Sequence, residues 1–260
     1  MPSHRHPRFL AAAAILAIGL CSVSLSIGQN LSAAEPVKIL LITGGCCHDY
    51  DYQSKTIQEA FKQHKIDVEW KVVQEGGNGT EAEIKLYQDP KWADGFDVVI
   101  HNECFANTTS EEYIKQITEA HKNGVNGVVI HCAMHTYRAA EFDDWREFLG
   151  VTSRKHEHQS NYPVKVVERD HPIMKGFPND WVTPKDELYI IETLWPNAKP
   201  LATSISEQTG SSNPCFWVNE YGKSRVFGTT YGHSNETFAD KTFQQALVRG
   251  TLWAAGKLHD

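Results

Sequence analysis

Short uninterrupted apolar runs alternate with amphipathic stretches through residue 149. Residues 37–43 (VKILLIT) end at Gly44-Gly45 and read as a strand buried on both faces of a parallel sheet. Residues 54–65 place Ile57, Ala60 and Phe61 at helical spacing among lysines and glutamines, which predicts a helix lying back on that sheet. Residues 67–73 form the next predicted strand, Gly76-Gly77-Asn78-Gly79 a loop, and residues 81–93 fit neither period. Residues 96–100 (FDVVI) give another buried strand with His101, Asn102 and Glu103 at its exit. Thr109 and Glu112 make a capping-box pattern for a helix carrying Tyr113, Ile114 and Ile117, closed by Asn123-Gly124. A strand at 128–130 follows, then residues 131–135 and a helical stretch over 138–149.

This alternation predicts an α/β fold with an open, doubly wound, mostly parallel sheet, because parallel neighbours need crossovers of about this length. From residue 151 the pattern turns strand-rich. Runs at 164–167, 188–191 and 201–205 are separated by proline-containing turns and predict added or antiparallel strands in the C-terminal half. Residues 216–218 and 226–229 form a hairpin around Tyr221-Gly222. Thr237 and Asp240 open a last helix with Phe243, Leu247, Gly250 and Trp253 or Ala254 on one stripe. No repeat or linker divides residues 35–260, which are expected to form a single domain.

The N-terminal segment changes the expected location. Arg5 and Arg8 precede an apolar stretch beginning at Phe9, and Ser32-Ala33-Ala34 has the small residues of a signal-peptide cleavage site. Residues 1–34 are therefore expected to direct export, with the periplasm as destination, Glu35 as first mature residue, and the membrane met only in transit. The full chain has a formal net charge of −7; without residues 1–34 it has 23 basic and 32 acidic residues, a net −9. That balance lacks the positive field that phosphate backbones require, so no nucleic-acid partner is expected. Of six cysteines, five follow residue 34, including the vicinal pair Cys46-Cys47. An odd number cannot all pair within one chain, which excludes a disulfide scaffold; one bridge from Cys46 or Cys47 to Cys104 fits the pattern.

Ligands of open α/β sheets bind outside the carboxyl ends of the strands. Those ends here are rich in imidazole: His48-Asp49 after the first strand, His101-Asn102-Glu103 after the third, His131 and His135 after the fourth, and Gly232-His233 after the hairpin. Recurrence at separate exits points to a shared pocket. Neutral imidazoles with Glu103 or Glu187 can hold a divalent metal such as zinc, or act without metal as general acid and base; no HExxH or paired CxxC motif decides between them. His131, His158 and His233 are the metal candidates on this reading. His156-Glu157-His158 reads either as two imidazoles on one side of a strand or, slightly better, as a solvated strand end. Asp186-Glu187 reads as a charged turn or as a pair placing one carboxylate in the cleft. Cys132 occupies the place of a thiol nucleophile but lacks the flanking glycines of a nucleophile elbow, so a buried small hydrophobe accounts for it better. Gly44-Gly45 lacks the third glycine of a dinucleotide fingerprint, so no nucleotide is expected. Tyr50, Tyr137, Tyr189 and Tyr231 are available to stack on sugar rings.

Together, LLITGGCCHD at 40–49, GVVIHCAMH at 127–135, HPIMKGFPNDWVTPKDELY at 171–189, YGKSRVFGTTYGHS at 221–234 and the closing LVRGTLWAAG resemble the ThuA-like, trehalose-utilisation family. Ser224 stands where that family's pattern has glycine. The resemblance implies the flavodoxin-like sheet of class I glutamine amidotransferases without their usual nucleophile. It also implies a role on disaccharides or their 3-keto derivatives, by keto-sugar isomerisation or glycosidic cleavage. His131, Glu187 and His233 are the catalytic residues expected from it, with His48, Asp49, Asn102, Glu103, His135 and Tyr189 around the substrate. A non-catalytic sugar-binding or accessory module is the competing expectation.

Overall fold

Strand β1 (Val37–Gly45) is buried along almost its whole length, and helix α1 (Tyr50–Gln63) returns the chain across the sheet to β2 (Val68–Gln74). These and the elements below come from a computed structural model, which describes residues 1–4 and 35–259. Glu35–Asp260 form one compact unit, and residues 5–34 of the expected signal segment lie outside the described residues. Among the described residues no helix is long and apolar enough to cross a membrane.

Strands β3 (Val98–Cys104) and β4 (Asn126–Ile130) are joined by helix α2 (Glu111–Lys122), whose N-cap is Ser110. The short helix α3 (Asp144–Leu149) leads into β5 (Val151–Ser160), β6 (Lys165–Val166), β7 (Asp186–Leu194) and β8 (Lys199–Ile205). The hairpin β9 (Ser212–Tyr221) and β10 (Ser224–Thr229) precedes helices α4 (Asn235–Ala239) and α5 (Lys241–Ala254). Eight strands form the main sheet in the order β2-β1-β3-β4-β10-β9-β8-β6; the pairs from β2 to β10 are parallel and those from β10 to β6 antiparallel. Strands β5 and β7 make a separate antiparallel ribbon. The expected fold class holds: a mostly parallel α/β sheet with added antiparallel strands. One hydrophobic core lies under α1 and α5, the other under α2 and α3.

Several boundaries differ from expectation, each for a physical reason. β3 does not stop at Ile100 but runs through His101, Asn102 and Glu103, which pair with Ile42, Thr43 and Gly44 of β1. Polar residues continue the strand because their side chains find partners on both faces. Only the last turns of the predicted 138–149 helix form. Tyr137 adopts φ 59°, and the buried Arg146 guanidinium donates to the carbonyls of Arg138, Ala140 and Phe142, holding those residues in a turn. Residues 81–93 contain one 3-10 turn (Lys85–Gln88) with Ile84, Tyr87 and Trp92 buried. Asp186 and Glu187 lie inside β7 rather than in a turn before it. Ser234 caps α4, and Asp240 caps α5. At Ser224 the hydroxyl donates to Tyr221 O (2.9 Å), which closes the hairpin turn.

Candidate functional site

The carboxyl edge of the parallel strands gathers three of the predicted imidazoles. His48 follows β1, His131 follows β4, and His233 follows β10; one nitrogen from each lies within 4.8 Å of the others. His131 adopts φ 46°, a left-handed conformation that is costly for a residue with a side chain and recurs at functional turns. Gly232, at φ 131°, makes room for it: a Cβ there would meet Ile130 Cγ2 at 2.9 Å and His131 Cβ at 3.2 Å.

Hydrogen bonds decide which nitrogens face one another. His131 Nδ1 donates to Thr230 O (2.7 Å), leaving Nε2 with a lone pair that faces the Tyr189 hydroxyl at 3.4 Å. Tyr50 spends its proton on Cys46 O (2.8 Å), so its oxygen accepts from His48 Nδ1 (3.3 Å) and His48 Nε2 is also bare. His48 Nε2 stands 3.2 Å from His233 Nδ1. The Gln159 amide, 2.7 Å from His233 Nε2, offers either an oxygen or a nitrogen and so serves either tautomer of that ring.

Glu187, on β7 of the ribbon, closes the group. Its Oε2 lies 3.3 Å from His233 Nδ1, 3.7 Å from His131 Nε2 and 3.3 Å from His156 Nδ1. A tetrahedral cation with bonds of about 2.0–2.1 Å sets its donors roughly 3.3 Å apart. The bare His131 nitrogen and the Glu187 oxygen, 3.7 Å apart, repel unless a proton or cation lies between them. The three imidazoles, with Glu187 Oε2 against two of them, could hold a divalent cation.

Burial and mutual repulsion keep two of the rings neutral. Desolvation, then His233, lowers the His48 pKa to about 4; desolvation and His48 hold that of His131 well below the usual imidazole range. His233 is raised, chiefly by its bond to Glu187. Burial pushes the Glu187 carboxyl up, but the hydrogen bond and charge of His233 outweigh it and hold it below its usual value. Asp186, one residue earlier and fully buried, accepts from Gly232 N (3.0 Å), His233 N (3.2 Å) and Thr237 Oγ1 (2.5 Å); desolvation lifts it to about 6 against those bonds. It fixes the loop that carries His233.

A cavity of about 210 Å³ opens beside the cluster, lined by Glu187, Tyr189, His135, His156 and Arg138 among others. His135 stacks on Tyr189 with ring centroids 4.1 Å apart, and burial depresses its pKa to about 3. A shallower groove bounded by Asp49, Gln159 and Asn235 meets this cavity at Cys47, His48 and His233.

Other predicted residues lie elsewhere. Glu103 points to the α2 face, where it accepts from Tyr87 and pairs with His101 Nδ1 (2.8 Å), so it leaves the proposed substrate set. Asn102 faces the other way; it bonds Gln53, which bonds Gly232 O, and so it braces the His233 loop without reaching the cavity. Asp49 caps α1 and accepts from Asn235 in the outer groove. His158 is no metal candidate: it is exposed and pairs with Glu207 (2.9 Å). The ribbon's register shifts between His156 and Gln159, so only His156 reaches the cavity. Tyr137 and Tyr231 are fully buried in the cores, and Tyr50 serves His48.

The cysteines pair differently from expectation. Cys46 bonds Cys47, and Cys104 bonds Cys132, leaving Cys215 free and buried. Cys132 is therefore neither a thiol nucleophile nor an inert hydrophobe, and no Cys46–Cys104 or Cys47–Cys104 bridge is present. Sequence reasoning misses this wall of the cavity, together with Arg138 and Gln159. His156 is visible in its His-Glu-His triplet, although the triplet by itself favours a solvated strand end.

Solved structures share the architecture. A ThuA-like protein from Parabacteroides merdae ATCC 43184 superposes with a TM-score of 0.71 at 23% identity, covering 87% of this chain and 92% of that one. A ThuA-like protein from Bacteroides uniformis ATCC 8492 gives 0.64 at 16% identity, covering 87% and 95%. A GMP synthase-type protein from Thermoplasma acidophilum gives 0.54 at 10% identity, covering 86% and 96%, and extends the likeness to the amidotransferase-type sheet. No curated protein matches the chain. The family model described as "Trehalose utilisation" matches residues 38–254, nearly the whole compact unit, and on that match the chain belongs to the ThuA family.

Proposed function

We propose that this chain is an exported carbohydrate-processing enzyme in which His48, His131, His233 and Glu187 hold a divalent cation such as zinc beside a sugar-binding cavity. The convergence of three imidazole nitrogens within 4.8 Å, with Glu187 Oε2 against two of them, carries the reading. Bound there, the cation would polarise a sugar carbonyl or activate water. His131 and His48 meet it neutral at pH 7, so neither has to lose a proton first. His156, half-exposed and 3.3 Å from Glu187, is placed to carry a proton between the carboxylate and solvent.

The cavity, at about 210 Å³, suits one sugar ring beside His156 and Arg138, and the adjoining groove suits the second ring of a disaccharide. His48 and His233 border both spaces, which sets the chemistry near the junction of the rings. Keto-sugar isomerisation and glycosidic cleavage both fit that position. An isomerisation requires a polarised carbonyl and a base beside the acidic C–H, roles that fall to the cation site and to His156.

The test is elemental analysis of tag-free protein, followed by mass-spectrometric screening of trehalose-type disaccharides and their 3-keto derivatives before and after chelation. Stoichiometric metal and turnover that vanish together and return on zinc addition support the proposal. Metal-independent turnover moves the chemistry to acid–base work by the same residues, and tight binding with no turnover supports a sugar-binding module instead.

A further inference from the structure

Four cysteine sulfurs line one wall of the cavity, in a graded order from solvent inward. Cys47 is exposed, Cys46 and Cys132 are half-buried, and Cys104 is buried. The two disulfides touch: Cys46 Sγ lies 3.9 Å from Cys104 Sγ. This approach has a backbone cause. Gly45 sits at φ 96°, and a Cβ there would fall 2.2 Å from Cys104 O, so only glycine lets the end of β1 lie this close to the end of β3. Cys47, next in line, adopts φ 88°, a conformation rare for residues with a side chain. Strain at an exposed disulfide favours its opening over that of the inner pair.

We propose that these sulfurs form a thiol–disulfide relay that accepts an external dithiol as a second substrate. A thiolate of the dithiol attacks Cys47 Sγ; the Cys46–Cys47 bond breaks, Cys46 leaves as thiolate, and a mixed disulfide forms on Cys47. Cys46 then attacks Cys104 Sγ, forming Cys46–Cys104 and breaking Cys104–Cys132. The second thiol of the external molecule resolves the mixed disulfide and departs as a cyclic disulfide. Two electrons pass from the dithiol to the protein, and its two protons end on Cys47 and Cys132. The half-reduced protein carries one disulfide, Cys46–Cys104, with a free thiol beside His48 and another beside His131. The wall of the cavity thus has two covalent states.

The experiment treats the native full chain, in the presence of chelator, with one equivalent of dithiothreitol, traps thiols with iodoacetamide and maps disulfides by peptide mass spectrometry. The expected product is alkylated at Cys47 and Cys132 and contains a Cys46–Cys104 cross-linked peptide, while Cys215 stays unlabelled as evidence that the fold is intact. Alkylation at Cys46 and Cys47 with Cys104–Cys132 intact overturns the relay, as does alkylation at Cys104 and Cys132 alone, or no reaction. In a second arm, Cys46→Ser combined with Cys47→Ser is expected to slow reduction of Cys104–Cys132 by at least about tenfold, since the inner pair is then open only to direct attack; an unchanged rate overturns the relay. Neither readout involves sugar or metal, so failure here is separate from failure of the enzymatic proposal.

Discussion

The molecule holds two clusters of imidazole and glutamate, one at the carboxyl edge of the sheet and one under its α2 face. Beneath α2, His121 Nδ1 bonds Val125 O (2.7 Å), His101 Nε2 bonds His121 Nε2 (3.0 Å), and Glu103 Oε1 receives His101 Nδ1 and Tyr87. Every imidazole nitrogen there is used, the members are fully buried, and aromatic rings of Trp92, Trp145 and Phe148 enclose them. At the edge, His48 Nε2 faces His233 Nδ1 and His131 Nε2 lies near Tyr189 Oη and Glu187 Oε2, all beside a cavity. In the cluster beneath α2 only Glu103 Oε2 is left without a partner; the same residue types are enclosed by aromatic rings in one place and open onto a cavity in the other. Access to the cavity separates the two.

The strongest way to break this contrast is substitution at each centre. His131→Ala should lower kcat/KM on the sugar substrate by on the order of 10²–10³-fold, the scale of losing a group that stabilises developing charge, and abolish stoichiometric metal. Full activity in that variant removes the edge cluster from catalysis. His121→Ala should do the reverse: lost packing on Phe148 and an unpaired His101 cost about 2–4 kcal/mol in a urea titration, with turnover per folded molecule unchanged. A catalytic defect without a stability loss would erase the distinction.

Acid should act on both clusters. His48, His131, His135 and His121 all have folded pKa values below the ordinary imidazole value near 6.5, because burial penalises their charged forms. Below that value the unfolded chain binds protons that the folded chain refuses, so stability is greatest near and above pH 7 and falls as pH drops toward 4. Asp186, raised to about 6, works in the opposite sense between pH 4 and 6, and His233, raised by Glu187, works in the opposite sense above about pH 6.5, two groups against four. Urea midpoints at pH 7, 6 and 5 should decline in that order; a flat profile contradicts the burial argument. The smallest effect is expected at His158→Ala, where an exposed pair with Glu207 contributes little, so activity and stability should both stay within about twofold and 0.5 kcal/mol of wild type.

The parallel half of the sheet is legible because VKILLIT and FDVVI are continuous apolar runs that only a doubly covered strand can use. The strand exits are legible for His48, His131 and His233 for the same reason: the end of an apolar run marks the end of a strand. That rule fails at His101-Asn102-Glu103, where polar side chains extend β3 because Tyr87, His121 and Gln53 wait on either face. It fails again for the ribbon, since the placement of His156 depends on a register shift, and for the disulfides, since Cys104–Cys132 joins the ends of the neighbouring strands β3 and β4. Long-range geometry of this kind leaves no periodic trace.

The ribbon of β5 and β7 supplies Glu187, Tyr189 and His156 but shares no ladder with the main sheet, which supplies the imidazole trio. Changes in its length or its outward residues can reshape what enters the cavity while the nitrogens stay anchored to the parallel strands. Diversification of ligand preference among relatives of this architecture would then be written in the ribbon, with the sheet edge kept as a fixed chemical platform.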